Sequence, residues 1–289
     1  ALLGFFSAFG SSWALIKEEY TDGTVATEWL LLGALTSTSV QIKVKAETKT
    51  SDQGNNNNDN LALVLTMVDS DQNQNQNQNQ NQKQNTNSNN TNRTILPIPK
   101  NEITMGSRHD IYTLDVTGLT PNTKYQYAIV NVNANGNGDT ADTTTTTTTA
   151  NNDNRERLSG TFQTPAPEGT RFNFTIAAGA CAWTGSKANV FDEIAEEKPL
   201  LFVHMGDFHY EDIQDNDMQK RIDAVGKVLA SRPQANLYRS TALAYMWDDH
   251  DWLGNDSNGQ ETVEGAKTTA LQSYQIAFPH YPLPAAAAA

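Results

Sequence analysis

A short apolar run that ends in metal-ligand side chains constrains this chain more than any other feature. Residues 200–203 read Leu-Leu-Phe-Val, as expected of a strand covered on both faces in a parallel sheet. Gly206 follows, and Asp207 and Tyr210 lie three residues apart just beyond it. Because ligands bind outside the carboxyl ends of strands in open α/β sheets, the segment predicts a site for a hard metal ion.

Strand and helix patterns alternate over the last third of the chain, which predicts an α/β domain. The predicted strands cover residues 171–178, 200–205 and 243–247, and the predicted helices cover 189–197 and 217–230. Each predicted strand is followed by potential ligands: Cys181 after the first, Asp207 and Tyr210 after the second, and Asp248, Asp249, His250 and Asn255 after the third. A single such residue is usually a turn or cap residue, but three clusters at one sheet edge favour a metal site.

The residue types suit two different ions. A thiolate and a phenolate are strong anionic donors that suit iron, whereas carboxylates and an amide suit calcium, magnesium or manganese. Asp207 can present one oxygen to each ion and is the natural bridge. Two ions roughly 3.5–4 Å apart polarise a phosphoryl group and generate a hydroxide nucleophile.

The first half of the chain is predicted to be an antiparallel β-sandwich. Predicted strands cover residues 39–46, 61–68, 111–116 and 124–129, and the turn-rich residues 118–123 connect the last two. A Pro-rich linker follows. We therefore divide the chain into a sandwich (1–160), a linker (161–170), an α/β domain (171–284) and an alanine tail (285–289).

Three polar tracts interrupt the sandwich pattern, at residues 55–60, 72–92 and 131–154. They are rich in Asn, Gln and Thr and cannot bury enough apolar surface to offset the entropy of ordering them. We interpret them as disordered loop insertions; a prion-like role is the alternative.

Composition narrows the possible partners. The chain has 33 Asp and Glu against 20 Lys and Arg, a formal charge of -13, which argues against specific nucleic-acid binding and adhesion to an anionic membrane. Metal ions would still allow phosphate binding. Cys181 is the only cysteine, which excludes an intramolecular disulfide, and no stretch reaches the length of a membrane span. Residues 1–9 fit either the remainder of a signal-peptide core or a first strand.

Residues 160–283 resemble the PhoD-like alkaline phosphatases, a branch of the metallophosphoesterases related to purple acid phosphatases. The resemblance rests on Ala-Cys181, the run from Gly206 to Asp212, the run from Trp247 to Asp251, Gly254-Asn255 and the run from Pro279 to Leu283. The preceding β region, with Gly-Leu-Thr-Pro-Asn-Thr-Lys-Tyr-Gln-Tyr, resembles the fibronectin-like domain of those families. The implied fold is a fibronectin-like sandwich followed by an αββα metallophosphoesterase domain.

The resemblance implies a role for each matching position. Cys181 and Tyr210 would ligate the iron, Asp207 would bridge, and Asp249 would ligate the second metal. His250 would assist catalysis, and Asn255 and Asp248 are further possible ligands. The implied cofactor is a dinuclear or multinuclear centre of Fe³⁺ with Ca²⁺, or with Mg²⁺ or Mn²⁺.

The implied function is hydrolysis of small phosphate esters by a two-metal-activated hydroxide, in a secreted or cell-surface protein. The family's later ligands, mostly histidines, have no counterpart here, so we expect a truncated domain with about half a metal site and weak or sub-stoichiometric iron binding. The alternative is an extracellular β-sandwich interaction protein that carries a non-catalytic phosphatase remnant.

Other polar residues receive plainer interpretations. His204 is predicted to be a hydrogen-bonded core histidine, and His209 lies either beside the ligands or at the surface. Asp248 is equally a solvated neighbour, and Asn255 is a candidate because Gly254 lets its loop approach closely. Glu211 and Asp212 are interpreted as loop acids.

Overall fold

The computed structural model of the protein describes residues 24–46, 60–68, 93–97, 110–132, 157–260 and 265–283. The strands of this part are β1 (Trp29–Gly33), β2 (Ser39–Lys45), β3 (Asn60–Val68), β4 (Arg93–Pro97), β5 (Ile111–Thr117), β6 (Lys124–Val132), β7 (Ser159–Gln163), β8 (Ile176–Gly179), β9 (Leu201–Met205) and β10 (Ala242–Met246). The helices are α1 (Val190–Glu196), α2 (Met218–Ala230), α3 (Arg232–Ser240), α4 (Asp249–Trp252) and α5 (Ala266–Ala277). The predicted signal-peptide core, most of the polar tracts and the alanine tail lie outside these residues.

The strands form two sheets. A six-stranded mixed sheet has the order β5-β2-β1-β10-β9-β8, and a four-stranded sheet has the order β4-β3-β6-β7. Strands β8, β9, β10 and β1 pair in parallel, whereas β2 is antiparallel to both of its neighbours, β1 and β5. This arrangement is consistent with a β-sandwich combined with an α/β region.

The six-stranded sheet runs across the predicted linker. Strand β1 pairs in parallel with β10, with Gly33 opposite Leu243. A Cβ at Gly33 would lie 2.5 Å from the Leu243 carbonyl oxygen, so this join requires glycine. The division into units at residues 161–170 remains a prediction.

Strand β1 supplies both layers of the core. Its successive side chains point to opposite faces of the sheet. Leu30 and Leu32 pack in the layer between the two sheets, while Trp29 and Leu31 pack in the layer between the six-stranded sheet and the helices. All four are at most 2% exposed.

Most predicted elements are present within a residue or two. Strands β2, β3, β5, β9 and β10 match their predicted ranges, and α1 and α2 match the predicted helices, whereas β6 extends three residues beyond its predicted end at residue 129. The predicted strand over 171–178 is shorter, since β8 covers Ile176–Gly179. Helix α2 begins after Asp217, whose side chain accepts a hydrogen bond from the Lys220 N–H, and it buries the predicted stripe of Ile222, Val225 and Leu229.

The prediction that residues 200–203 form a strand covered on both faces is confirmed in part among the described residues, because Leu200 and Leu201 pack against the core layer between the two sheets but that face opens towards the end of β9. Phe202 and His204 of β9 are buried against the helices. On the other face, Met205 is 46% exposed, Met246 of β10 is 58% exposed, and Ile176 of β8 is 51% exposed. Among the described residues, the helices pack on the Phe202 and His204 face.

None of the described helices combines the length and apolarity that crossing a bilayer would demand.

Candidate metal centre

The three predicted ligand clusters meet at one sheet edge because β8, β9 and β10 are parallel neighbours. The segments after β8 and β9 are joined by backbone hydrogen bonds. The Cys181 N–H donates to the Gly206 carbonyl at 3.1 Å, and the Ala182 N–H donates to the Asp207 carbonyl at 3.1 Å. The topology therefore brings the first two clusters into direct contact.

The loops after β9 and β10 approach each other at Gly206. This residue has φ +99°, and a Cβ there would lie 2.4 Å from the Asp248 Cβ. Cys181 and Asp207 also have left-handed backbones, with φ +57° and +52°. Such conformations cost on the order of 1 kcal/mol each in non-glycine residues and are concentrated at functional sites.

Asp207 is the central side chain of the site and is only 5% exposed. Its Oδ2 accepts hydrogen bonds from the Cys181 thiol at 3.4 Å and from the Tyr210 hydroxyl at 3.0 Å. Its Oδ1 is buried and has no hydrogen-bond partner among the described residues. Because a buried, unpartnered carboxylate oxygen is energetically costly, Oδ1 fits the position of a metal ligand.

Asp207 also belongs to a second set. Asp207, Asp249 and His250 each offer one ligand atom, and these atoms lie within 4.8 Å of one another. The local backbone fixes the Asp249 carboxylate: its Oδ1 accepts the His250 N–H at 3.0 Å, and its Oδ2 accepts the Asp256 N–H at 2.5 Å. The Asp207 carboxylate is therefore shared between a thiol–phenol pair and a carboxylate–imidazole pair.

Burial raises the pKa of three groups at this site: the Asp207 carboxyl, the Cys181 thiol and the Tyr210 hydroxyl. For Tyr210, the adjacent Cys181 and Asp207 add to the increase. The thiol and phenol protons form the two hydrogen bonds to Asp207. Cation binding would displace such protons, since metal ligands must be deprotonated.

His250 has two further contacts, one with Asp212 and one with Tyr210. Its Nδ1 lies 2.5 Å from Asp212 Oδ1, and its ring centroid lies 4.2 Å from that of Tyr210. Burial lowers the pKa of His250, but the hydrogen bond to Asp212 and that carboxylate's charge outweigh it, so the pKa is raised.

Asp251 joins the loop after β9 to helix α4. Its Oδ1 accepts the Phe208 N–H at 2.7 Å and the His209 N–H at 3.3 Å, while its Oδ2 accepts the Asp248 N–H at 3.2 Å. Burial raises the pKa of Asp251 to about 7, against the opposing effect of these donors.

Arg221 of α2 forms hydrogen bonds to the backbone of the same two segments, the loop after β9 and helix α4. This buried guanidinium donates to the Ile213 carbonyl at 2.9 Å and to the Trp252 carbonyl at 3.0 Å. The backbone of Tyr210 is held separately, since its N–H donates to Thr184 Oγ1 at 2.8 Å.

The structure thus gathers five of the seven predicted site residues: Cys181, Asp207, Tyr210, Asp249 and His250. The other two lie at the periphery. Asp248 is exposed and caps α4 by accepting the Asp249 N–H, and Asn255 is exposed and donates to Asp256 Oδ2 at 2.6 Å. The roles of all seven remain predictions.

Of the two neighbouring histidines, His204 differs in part from its interpretation, and His209 excludes one of its two alternatives. His204 is a core residue, as predicted, but its two ring nitrogens have no hydrogen-bond partner among the described residues, and burial lowers its pKa to about 4. It lies instead among aromatic rings, including those of Phe202 and Phe208. His209 is buried rather than at the surface, and burial lowers its pKa to about 3.

Three residues that contact the candidate site or the backbone around it were given no site role by the sequence analysis: Asp212, Arg221 and Asp251. Asp212 was interpreted as a loop acid, whereas it contacts His250. A signal for Asp251 was available, because Asp248 and Asp251 have the spacing of a capping box at the start of α4. Arg221 has no such local signal.

No protein-family model matches the chain, and no curated protein matches it. The solved structure of PhoD matches 92% of this chain and 47% of its own length, with 15% sequence identity and a TM-score of 0.55. The purple acid phosphatase PPD1 from yellow lupin seeds matches 90% of this chain and 41% of its own, with 13% identity and a TM-score of 0.48.

A fibronectin III domain, the third of human KIAA0343, matches 59% of this chain with 16% identity and a TM-score of 0.26. The chain spans about half the length of PhoD, with 47% of it covered. Over the matched part, this chain has a PhoD-like fold.

Proposed function

We propose that this chain belongs to a metal-dependent phosphoesterase of the PhoD-like type. The observation that carries the proposal is the position of Asp207. Its carboxylate contacts Cys181 and Tyr210 through one oxygen, lies within ligand range of Asp249 and His250, and leaves its other oxygen buried without a partner in the described structure. A carboxylate that bridges two ions must lie between the ligand groups of both ions, as Asp207 does.

The donor set fits two ions of different character. Cys181 and Tyr210 would hold an iron-like ion, Asp249 would hold a harder divalent ion such as calcium, and Asp207 would contribute to both. When bound, such ions supply positive charge that polarises a phosphoryl group and lowers the pKa of water. The unpaired buried oxygen of Asp207 supports this assignment.

The chain's own residues would orient the substrate and supply a proton. Asp207 and Asp249 are anionic when deprotonated and would repel a phosphate, so substrate binding depends on the positive charge of bound cations. His250 lies beside this group and would donate a hydrogen bond from its ring to the ester oxygen that leaves. The substrate class is a small phosphate ester.

Hydrolysis of 4-nitrophenyl phosphate by the protein loaded with Fe³⁺ and Ca²⁺ tests the proposal. Asp207→Asn should abolish turnover, because the amide supplies a weaker ligand and cannot bridge as an anion. Asp215→Asn is the matched control, since Asp215 is a half-exposed acid on the same loop that pairs with Lys220. Because the chain spans about half the length of PhoD, cation affinity is measured beside turnover. Equal turnover and equal cation affinity in the parent protein and in Asp207→Asn would refute the proposal and favour an interaction module.

A further inference from the structure

Three helices of the α/β region end against hydrogen-bond donors that come from the predicted sandwich range, residues 1–160. The last four carbonyl groups of an α-helix have no partner inside the helix. At the ends of α2, α3 and α5, such carbonyls accept hydrogen bonds from Arg157, Tyr127 and Lys43, respectively. These helices are therefore capped by side chains from a different part of the chain.

Lys43 of β2 caps α5. Its Nζ donates to the Gln275 carbonyl at 2.8 Å and to Thr113 Oγ1 at 2.8 Å, and the residue is only 3% exposed. Burial lowers the pKa of Lys43 to about 8, so the ammonium group is charged at neutral pH. A cationic donor at the C-terminus of a helix binds the free carbonyls and interacts favourably with the helix dipole.

The ends of α2 and α3 are capped from the region of β6 and β7. Arg157, just before β7, donates to the Leu229 carbonyl at 3.0 Å. The buried Tyr127 hydroxyl of β6 donates to the Arg239 carbonyl at 2.8 Å. Gly160 of β7 allows this close contact, because a Cβ there would lie 2.1 Å from the same carbonyl oxygen. The C-terminal end of α3 therefore lies directly against the four-stranded sheet.

The dependence between the two parts is mutual. Trp29, Leu31 and Ile111 belong to the predicted sandwich range, yet they are buried in the core layer next to the helices. Without the helices these apolar side chains would be exposed to water, which is unfavourable. Helix α2 also carries Arg221, which binds the backbone on both sides of the candidate metal centre. The capped helices are thus part of the support of that site.

We propose that the predicted sandwich is the folding scaffold of the α/β region, so that the two predicted domains unfold as one cooperative unit. The sandwich supplies the caps of α2, α3 and α5, and the helices cover one face of the sheet that contains β1, β2 and β5. The candidate metal centre then forms only when both parts are folded. This inference is independent of the proposed phosphoesterase function, since it concerns the fold of the metal-free chain.

Native-state hydrogen exchange of the full chain in increasing urea, measured by mass spectrometry, tests the proposal. The slowest amide groups of β6 and of α2 should lose protection along one common curve, because a single unfolding event exposes both. Two separate curves, in either order, would overturn the proposal, because they would show two units that unfold independently.

Two conservative variants, one in each part, sharpen this test. In Tyr125→Phe the Thr120 N–H loses its acceptor, the Tyr125 hydroxyl, which lies 2.8 Å away within the sandwich. Ile222→Val removes one methyl group from the buried face of α2. Each variant should lower protection in β6 and in α2 equally, by about two- to tenfold. Glu168→Gln, at an exposed position, is the control and should change neither. A loss confined to the part that carries the substitution would overturn the proposal.

The caps themselves are tested at Lys43. Lys43→Met keeps the length of the side chain but removes the donor to the Gln275 carbonyl. Without urea, the amide groups in the last turn of α5 should therefore exchange about two- to tenfold faster than in the parent protein. Lys45→Met, at a half-buried position of the same strand, is the matched control and should leave this exchange unchanged. Equal exchange of the last turn in the two variants would overturn the capping role on which the proposal rests.

Discussion

Asp251 Oδ1 accepts the backbone N–H of Phe208 at 2.7 Å, which fastens the loop that carries Asp207 to the helix that carries His250. The Phe208 side chain is fully buried, and its ring lies 5.0 Å from that of Phe278. Phe208, the residue next to Asp207, is thus held by a backbone hydrogen bond and by the packing of its side chain in the core. The site is built on the core of the α/β region.

Replacing Asp251 with Asn should destabilise the protein by about 1–3 kcal/mol. In the variant, the side-chain NH2 group of the new amide would replace one of the two carboxylate oxygens of Asp251. It would then face the backbone N–H of either Phe208 or Asp248, and that buried N–H would lose its acceptor. Urea unfolding monitored by circular dichroism measures this loss. Asp215→Asn should change stability by less than about 0.5 kcal/mol; equal effects of the two variants would contradict the anchoring role.

Gly206→Ala should cost more stability than Gly118→Ala. Both glycines have positive φ, at +99° and +73°, so both variants incur backbone strain. Only at Gly206 would the new Cβ also collide with another chain segment, 2.4 Å from the Asp248 Cβ; nothing lies within 4 Å at Gly118. Thermal unfolding should show a drop of about 1–2 kcal/mol for Gly118→Ala and a larger one for Gly206→Ala. A larger loss for Gly118→Ala would show that the two loops are not in contact.

The buried His204 should make stability depend on pH in the acid range. Burial lowers its pKa from 6.5 to about 4, so the unfolded chain binds a proton between these values that the folded chain does not. Stability should therefore fall by roughly 3 kcal/mol as the pH drops from 6.5 towards 4. His204→Phe, which keeps a ring among the neighbouring aromatic residues, should show a shallower loss when unfolding is measured across this range. Parallel pH profiles for the two proteins would contradict a neutral, buried His204.

Cation binding should release protons and should tighten as the pH rises. Burial raises the pKa values of Asp207, Cys181 and Tyr210, and a bound ion must displace the protons that these groups hold. Calorimetric titration with Fe³⁺ or Zn²⁺ in buffers of different ionisation enthalpy measures this release. Asp207→Asn should weaken binding and reduce the number of protons released; an affinity that does not vary with pH would contradict the assignment.

Local patterns predicted much of the fold. Alternating side chains in Ser39–Lys45 predicted β2, and the apolar stripe of Ile222, Val225 and Leu229 predicted α2, since the apolar residues of each are buried. The polar face of β2 is covered at Lys43, which is also buried. Strand β1, Trp29–Gly33, has no such alternation because both of its faces are buried. The join of β1 to β10 links residues 210 positions apart, through Gly33 and Leu243, and no local signal encodes it.

The candidate site, like the fold, has one part that the sequence predicted and one part that it did not. Cys181, Asp207 and His250 were found because ligand-type residues follow predicted parallel strands, and the structure brings these strand ends together. Asp212 is one acid in an acidic loop, and only its distance from His250 distinguishes it from Glu211, which pairs with Lys227. Such through-space pairings depend on how two loops pack, which residue spacing does not encode.

The most direct test of the metal centre is the visible absorption spectrum of the protein titrated with Fe³⁺. Ligation by a tyrosine phenolate should produce a charge-transfer band that is absent from Tyr210→Phe and reduced in Asp207→Asn. The matched control is Tyr281→Phe, since Tyr281 is 47% exposed and its hydroxyl donates to the Leu35 carbonyl. We predict a band in the parent protein and in Tyr281→Phe, and none in Tyr210→Phe. A band that persists in Tyr210→Phe, or that never forms in the parent protein, would contradict an iron site built around Asp207.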